Sequence, residues 1–253
     1  MAMTDTTEVP RLRLSLLLWL TGMLGVVVIT VTALPQLLRE VTLPAPLWVL
    51  SLASLAQSAV LVGLAVWAGV ALAPEVGLRA PAFEAAASSR PLAPALGPQV
   101  LPGLVAGVLG GILLFAVNHY APAILAQIQA RFILPLPARI LYGGITEELL
   151  LRWGLMTTLL WLAWRLLQRR RDVPRLVHIW LAIILSAMVF GAGHLPAAAA
   201  LVGQLSGDIV VFVVGVNTAF GVLFGYLFWR YGLEAAMIAH GTAHVVNYVA
   251  GLL

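Results

Sequence analysis

Long apolar segments alternate with short polar or proline-rich breaks along the whole chain. A bilayer core about 30 Å thick is crossed by about 20 consecutive apolar residues in an α-helix. Seven segments are long and apolar enough, and they run over residues 14–34, 47–72, 99–118, 138–166, 176–194, 208–229 and 233–252. The pattern predicts an all-α protein, a polytopic transmembrane helix bundle of about seven spans.

Two breaks are longer than the others. Residues 73–98 are rich in proline and alanine, which predicts a surface loop with a short interfacial helix. Residues 119–137 form an amphipathic stretch between prolines. The first apolar run is too long for a signal peptide, so we interpret it as a span. We therefore divide the chain into an N-terminal region, 1–98, with two spans and the loop, and a helical core, 99–253.

The composition agrees with a protein whose solvent is a bilayer. The chain is 62% hydrophobic and 9% charged, with a mean hydropathy of +1.02, whereas soluble domains carry about 25% charged residues. It contains no cysteine, which excludes disulfide and thiolate chemistry. A composition rich in arginine, alanine, glycine and proline resembles that of GC-rich bacteria. The expected location is a bacterial plasma membrane.

The net charge of +4 is carried by arginine, since the chain has no lysine. In a membrane protein this excess indicates orientation and contact with lipid headgroups, not nucleic-acid binding. With the N-terminus inside, ten arginines lie on the cytoplasmic side: Arg11, Arg13, Arg79, Arg90, Arg165, Arg169, Arg170, Arg171, Arg175 and Arg230. Three lie on the other side: Arg39, Arg131 and Arg139. The distribution predicts a cytoplasmic N-terminus.

The stretch "GGITEELLLRWG" places three ionisable residues inside the fourth apolar segment. Each charge costs about 2.5–3.5 kcal/mol at the centre of a bilayer, so these groups must face the bundle interior and have partners. Glu148 and Arg152 are four residues apart, on one helical face, where they neutralise each other. Glu147 is rotated by about 100°. Its partners must therefore come from other helices.

Polar side chains at similar depth occur in two later segments. His194 ends the fifth segment, one turn after Phe190, and His240, His244 and Asn247 form a stripe on the seventh. A desolvated glutamate can act as a general base toward water, with imidazole and amide groups stabilising an oxyanion. Alternatively, Zn²⁺ could activate the water, held by Glu147, His194, His240 and His244. The H-E-x-x-H spacing of soluble zinc proteases is absent.

The ordered motifs E-E-x-x-x-R, F-x-x-x-H and a late H-x-x-x-(Asn/Asp) resemble those of a family of intramembrane proteases. This is the CAAX-protease and bacteriocin-processing family, also called type II CAAX prenyl endopeptidase or abortive-infection family. The resemblance covers about 139–252. It implies that Glu147 activates water, that Glu148 is held by Arg152, and that His194 and His240 complete the site as water or oxyanion partners or as metal ligands. His244 departs from the family, which usually has Asn or Asp there; Asn247 on the same face could substitute.

These observations predict an intramembrane endopeptidase that hydrolyses a membrane-associated peptide or protein without a cofactor. A zinc-dependent metalloprotease using the same residues is the alternative. A non-catalytic immunity or scaffold protein and a proton-coupled transporter are the two rivals from other classes. One conflict concerns depth, because His194 lies about 24–27 Å along its span and His240 only about 10 Å along its own. We expect one of these two spans to begin at a different depth from the other.

Five further polar residues receive structural interpretations. Asn118 and Asn217 are predicted to form interhelical hydrogen bonds. Asp208 is predicted to lie in the first turn of a helix. His119 and His178 fall at span ends, outside the predicted site.

Overall fold

The computed structural model describes residues 9–38, 44–125, 127 and 134–252, and all regular structure within these ranges is helical. The helices are α1 (Arg11–Thr32), α2 (Leu47–Leu72), α3 (Pro81–Ala87), α4 (Leu92–Asn118), α5 (136–167), α6 (Leu176–Gly193), α7 (Leu195–Val202), α8 (Gly207–Tyr231) and α9 (Leu233–Ala250). Short turns occupy Leu34–Leu37 and Ala73–Val76. Arg39, Arg131 and most of the predicted amphipathic stretch lie outside the described residues.

Among the described residues, five stretches are long and apolar enough to cross a membrane: Arg11–Leu37, Leu47–Val76, Leu92–Asn118, Leu176–Val202 and Gly207–Tyr231. They contain α1, α2, α4, α6 with α7, and α8. Helices α5 and α9 correspond to the predicted spans 138–166 and 233–252, and they carry the polar residues of the predicted site. The chain is an integral membrane protein built as a polytopic helical bundle.

Prolines set several helix starts. Pro46, Pro91 and Pro135 directly precede α2, α4 and α5. Proline disfavours helical geometry in the residue before it and needs no backbone hydrogen bond in the first turn. Inside α4, however, Pro98 and Pro102 are helical, so the helix begins at Leu92 and not at the predicted 99. The prediction was wrong because a proline removes only one backbone hydrogen bond, which packing against α9 outweighs.

Helices α4 and α9 run side by side in the same direction and approach closely along a glycine stripe. Gly103 faces Ile238, Gly107 faces Ala239 and Thr242, and Gly111 faces Ala243 and Val246. A Cβ at Gly107 would lie 2.5 Å from Cβ of Thr242 and 2.7 Å from the carbonyl oxygen of Ala239. Small residues at four-residue spacing thus allow the backbones of α4 and α9 to approach closely.

We expect Gly107→Ala to destabilise the protein by about 1–3 kcal/mol, because the added methyl group overpacks the α4–α9 contact. Gly97→Ala in the same helix is the matched control, since a Cβ there meets nothing within 4 Å. The control should be neutral or slightly stabilising because alanine favours helix over glycine. Thermal unfolding of both variants in detergent measures the difference, and equal effects would contradict the close contact.

Residues 73–88, the first part of the predicted loop, are more buried than predicted, whereas residues 89–94 are exposed. The short helix α3 is present, but Leu78, Ala80 and Ala87 are nearly inaccessible, so the segment packs into the bundle. The α3 N-terminus is satisfied from a distant helix: Glu234 of α9 accepts hydrogen bonds from the backbone N–H groups of Ala82 (2.8 Å) and Phe83 (2.9 Å). A carboxylate at a helix N-terminus is favourable. This tertiary cap explains why the segment leaves the surface.

A single residue, Gly232, joins α8 to α9. Its φ of 121° lies in a region that favours glycine, and a side chain there would meet Gln99 and Pro81. The N–H of Leu233 donates to the carbonyl of Arg79 at 3.0 Å, so α9 begins beneath the 73–91 segment. Helix α6, in contrast, begins at the exposed residue Leu176.

These different starts resolve the depth conflict between His194 and His240. Leu233 to Ala236 are buried at the start of α9, whereas the first turn of α6 projects from the bundle. A residue late in α6 therefore reaches the same level as a residue early in α9. The predicted ends of these two spans were close to the observed helix ends. The sequence did not show that α6 and α9 begin at different depths in the bundle.

Helix α5 departs from α-helical hydrogen bonding. Residues 139–147, 149–156 and 163–167 form π-helical turns, in which each N–H bonds the carbonyl five residues earlier. The wider turn adds residues without adding length, so α5 is shorter than the roughly 44 Å that α-helical rise gives for the predicted span. Such turns are frequent at functional sites.

Candidate active site

His240 lies between the two glutamates of α5. Its Nδ1 is 2.8 Å from Oε1 of Glu148, and its Nε2 is 4.0 Å from Oε2 of Glu147. Glu148 is fully buried, whereas the Glu147 side chain is 17% exposed. The two neighbouring carboxylates therefore have different environments. One is enclosed in the bundle, and the other is open to a cavity.

Close contact between α5 and α9 makes this arrangement possible. A Cβ at Gly144 would lie 3.0 Å from Cα of Gly241, and one at Gly143 would lie 2.8 Å from Nε2 of His244. Larger side chains at these positions would push α9 away from α5. The "GG" before the glutamate pair thus brings His240 within reach of both carboxylates.

Arg152 and Glu148 form the predicted ion pair, at 3.3 Å between Nε and Oε2. Arg152 also donates from Nη2 to the carbonyl of Gly221 in α8 at 3.1 Å. Its guanidinium lies 4.7 Å from the ring centroid of Phe190 and 5.5 Å from that of Phe224. Cation–π contact and a carboxylate together stabilise this fully buried charge.

A cavity of about 320 Å³ opens beside this pair. Five of the seven predicted site residues line it, and Glu148 and Arg152 lie behind its wall. The predicted residues at the wall are Glu147, His194, His240, His244 and Asn247. The cavity therefore brings together side chains from α5, α9 and the α6–α7 junction, as the sequence predicted.

His194 is held by its own helix. Its Nδ1 lies 2.9 Å from the carbonyl oxygen of Phe190, and the two rings meet edge to face with centroids 4.9 Å apart. Because a carbonyl only accepts, Nδ1 carries the proton, and the Nε2 of the neutral ring is an acceptor. The spacing F-x-x-x-H thus fixes the tautomer of His194.

The same reasoning applies to His240. An ionised Glu148 accepts the Nδ1 proton of His240, which leaves Nε2 of the neutral ring as an acceptor facing Glu147. Two roles were predicted for these histidines, as water partners or as oxyanion partners, and the acceptor nitrogens of their neutral forms favour the first role. Their hydrogen bonds suit them to accept a proton from a water molecule.

Amide groups supply donors on the other side of the cavity. Asn118 donates from Nδ2 to Oδ1 of Asn247 at 3.2 Å, which confirms the predicted interhelical bond of Asn118 and leaves the Asn247 NH₂ for other partners. His244 stacks on His240 with ring centroids 4.9 Å apart. Both His244 and Asn247 therefore line this wall of the cavity.

Four polar residues of the cavity wall lie outside the predicted site: Asn118, Arg139, Tyr142 and Asn217. Tyr142 lies in the first π-helical stretch of α5. Asn217 lies in α8 and donates to the carbonyl of Val213 in its own helix at 2.8 Å, so it is not the interhelical partner that we predicted. An isolated asparagine in an apolar helix was the available signal. His178 lies outside the cavity, with its Nδ1 3.0 Å from Oε1 of Gln168.

The residues present fit a resident metal ion only in part. Each of His194 and His240 has its Nδ1 engaged, as metal-bound histidines usually do. However, within the described residues no three His, Asp or Glu side chains are grouped closely enough to hold one ion. The arrangement as it stands is a carboxylate with acceptor nitrogens beside it, in a cavity large enough for water and a peptide segment.

One comparison with known proteins gives a match. Residues 129–246 match the sequence model of the family described as "Type II CAAX prenyl endopeptidase Rce1-like". No curated protein and no solved structure matches the chain. The matched range contains every predicted site residue except Asn247, and the family is one of proteases, which supports a hydrolase. The resemblance predicted from the ordered motifs is thus confirmed, and residues 129–246 carry the sequence pattern of the Rce1-like type II CAAX prenyl endopeptidase family.

Proposed function

We propose that the protein is an intramembrane endopeptidase in which Glu147 activates a water molecule for attack on a peptide bond. The observation that carries this proposal is the position of Glu147 at a cavity wall, 4.0 Å from an imidazole nitrogen that can only accept a hydrogen bond in its neutral form. A carboxylate in that position can remove a proton from water. The substrate is a membrane-associated peptide or protein.

A water molecule in the cavity would donate one proton to Glu147 and the other to Nε2 of His240 or His194. Both donor positions of the water are then used, and its oxygen lone pair is free to attack a carbonyl carbon. Orientation of this kind contributes to rate because little rearrangement is left for the reaction itself. Glu148 and Arg152 act behind the wall, where they hold His240 in the required tautomer.

The reaction then proceeds with Glu147 as the proton carrier. As the water oxygen bonds to the carbonyl carbon, one water proton passes to Glu147 and the carbonyl π electrons move to the carbonyl oxygen. The resulting oxyanion is stabilised by amide donors from Asn247 or Asn217, with His244 as a further donor. Glu147 then gives the proton to the amide nitrogen as the carbon–nitrogen bond breaks, which yields a carboxylic acid and an amine.

A zinc-dependent reaction is the second candidate, and the Nδ1 partners of His194 and His240 favour it. Zn²⁺, when bound, acidifies its own water. Glu147, His194, His240 and His244 are the residues that would hold it. The non-catalytic immunity or scaffold role and proton-coupled transport would not need peptide cleavage, so an assay for cleavage separates them from both enzymatic candidates.

Removal of metal distinguishes the two enzymatic candidates. We expect the purified protein, dialysed against a strong chelator, to cleave a peptide substrate at an unchanged rate, because Glu147 alone supplies the base. Elemental analysis of the same sample gives the zinc content per protein molecule independently of activity. Stoichiometric zinc together with loss of cleavage on chelation would establish the metal-dependent reaction instead.

A further inference from the structure

The described arginines that the sequence assigns to one side also meet at one end of the bundle. Arg13 at the start of α1 donates to Ala87 (3.2 Å) and Ser89 (3.0 Å), and Arg170 after α5 pairs with Glu75 at 3.8 Å. The α8–α9 junction contacts the same 73–91 segment. We call this the basic end, and its members are Arg11, Arg13, Arg79, Arg90, Arg165, Arg169, Arg170, Arg171, Arg175 and Arg230.

The mouth of the candidate active site lies at the opposite end. Helices α4 and α9 both start at the basic end, and the cavity is lined by Asn118 in the last residue of α4 and by Asn247 near the end of α9. Arg139, in the first turns of α5, lines it too, although the end of α5 lies at the basic end. The cavity therefore extends from His240 away from the arginine cluster.

Toward the basic end, the cavity is closed by packed side chains. Arg152, Trp153, Met156 and Phe228 are each at most 1% exposed, and they fill the space between α5 and α8 beyond Glu148. Trp153 and Phe228 meet edge to face with ring centroids 6.2 Å apart. Water and substrate therefore approach Glu147 from the end that carries few arginines.

We propose that the candidate active site opens to the side of the membrane opposite the cytoplasm. Arginine and lysine in short loops are retained on the cytoplasmic side. The basic end holds ten arginines, against Arg39, Arg131 and Arg139 assigned to the other end. The basic end is thus cytoplasmic, and the cavity mouth is extracytoplasmic.

This orientation defines the substrate class of the proposed endopeptidase, and in that respect it rests on the proposed function. The scissile bond must lie in an extracytoplasmic segment, or in the outer half of a membrane-bound chain. A polypeptide whose modified end remains in the cytoplasm cannot reach Glu147 through the packed layer. Peptides exported across the membrane and the outer juxtamembrane segments of anchored proteins have the required position.

Single-cysteine labelling tests the orientation in the full-length protein, which has no cysteine of its own. Tyr120→Cys, after α4 near the mouth, and Val173→Cys, at the basic end, are a matched pair because the native residues are 84% and 80% exposed. Intact spheroplasts are treated with a membrane-impermeant maleimide, before and after permeabilisation. We expect Cys labelling at 120 without permeabilisation and at 173 only after it.

Any other labelling pattern overturns the proposed orientation. The reverse pattern would place the mouth in the cytoplasm, labelling of both positions in intact spheroplasts would show mixed insertion, and labelling of neither would show that position 120 is not extracytoplasmic. Because labelling requires no catalysis, the result does not depend on the protein being a peptidase.

A second measurement links the orientation to cleavage. Sealed right-side-out vesicles containing the native protein receive a membrane-impermeant peptide library, with Glu147→Gln vesicles as the control, and products are identified by mass spectrometry. We expect products outside unbroken native vesicles only. Cleavage that appears only after permeabilisation contradicts the orientation. The expected labelling with no cleavage in any vesicles contradicts the proposed function and leaves the orientation intact.

Discussion

Glu147→Gln is expected to reduce peptide cleavage by about 10²–10⁴-fold, because the amide cannot take a proton from water. The variant should fold normally, since the Glu147 side chain is partly exposed to the cavity and contacts His240 only at 4.0 Å. The cleavage rate of one peptide, selected from a library for cleavage by the native protein in lipid nanodiscs, measures the effect.

Glu75→Gln is the matched control for the loss of a carboxylate. Glu75 lies at the basic end, where it contacts Arg170 and Trp161 at the surface. Its replacement should leave the cleavage rate unchanged. If Glu147→Gln retained the full rate while unfolding at the native temperature, Glu147 would not be the base and the proposed reaction would be wrong.

Arg152→Met is expected to lower the free energy of unfolding by about 3–5 kcal/mol, because it leaves the buried Glu148 carboxylate without its cation. The two side chains are at most 1% exposed, so water cannot replace the lost partner. The double variant Glu148→Gln/Arg152→Met removes both charges, and it should recover most of the loss. Unfolding in detergent, followed by temperature or denaturant, measures the native protein, the single variants Glu148→Gln and Arg152→Met, and the double variant.

An exposed ion pair provides the control for this cycle. Arg170 and Glu75 are 3.8 Å apart, and their side chains are 48% and 41% exposed. Arg170→Met should therefore cost no more than about 1 kcal/mol. Losses that simply add in the double variant at 148 and 152 would show that these two side chains stabilise the fold independently, in contradiction to the buried pair.

Much of the candidate site was readable from the sequence because lipid makes isolated charge costly. The couple of Glu148 and Arg152 follows from helical spacing, and the need of Glu147 for a partner on another helix follows from its lack of one nearby. In the structure, His240 of α9 lies beside Glu147 and supplies that partner. The tautomers were not readable, because they depend on which oxygen meets each Nδ1.

The apolar helices of the fold were predictable from the sequence. Helix ends and loop burial were less predictable where they depend on contacts with residues far away in the chain. Pro98 suggested a loop, but α4 continues through it because α9 packs alongside. The burial of residues 73–88 depends on Glu234, far away in sequence, which caps α3. An isolated asparagine in an apolar helix signals a polar role for Asn217, but it does not show whether the side chain faces the cavity or a neighbouring helix.

The packed layer beyond Glu148 also bears on the energy supply of the cell. An enzyme that admits water into the bilayer reduces the thickness of the apolar layer that keeps protons on the two sides of the membrane apart. Here Trp153, Phe228, Leu78 and Leu233, none more than 2% exposed, fill the bundle toward the basic end, which the proposed orientation places in the cytoplasm. In the proposed enzyme, this packing would let water reach Glu147 without opening a path for protons across the bilayer.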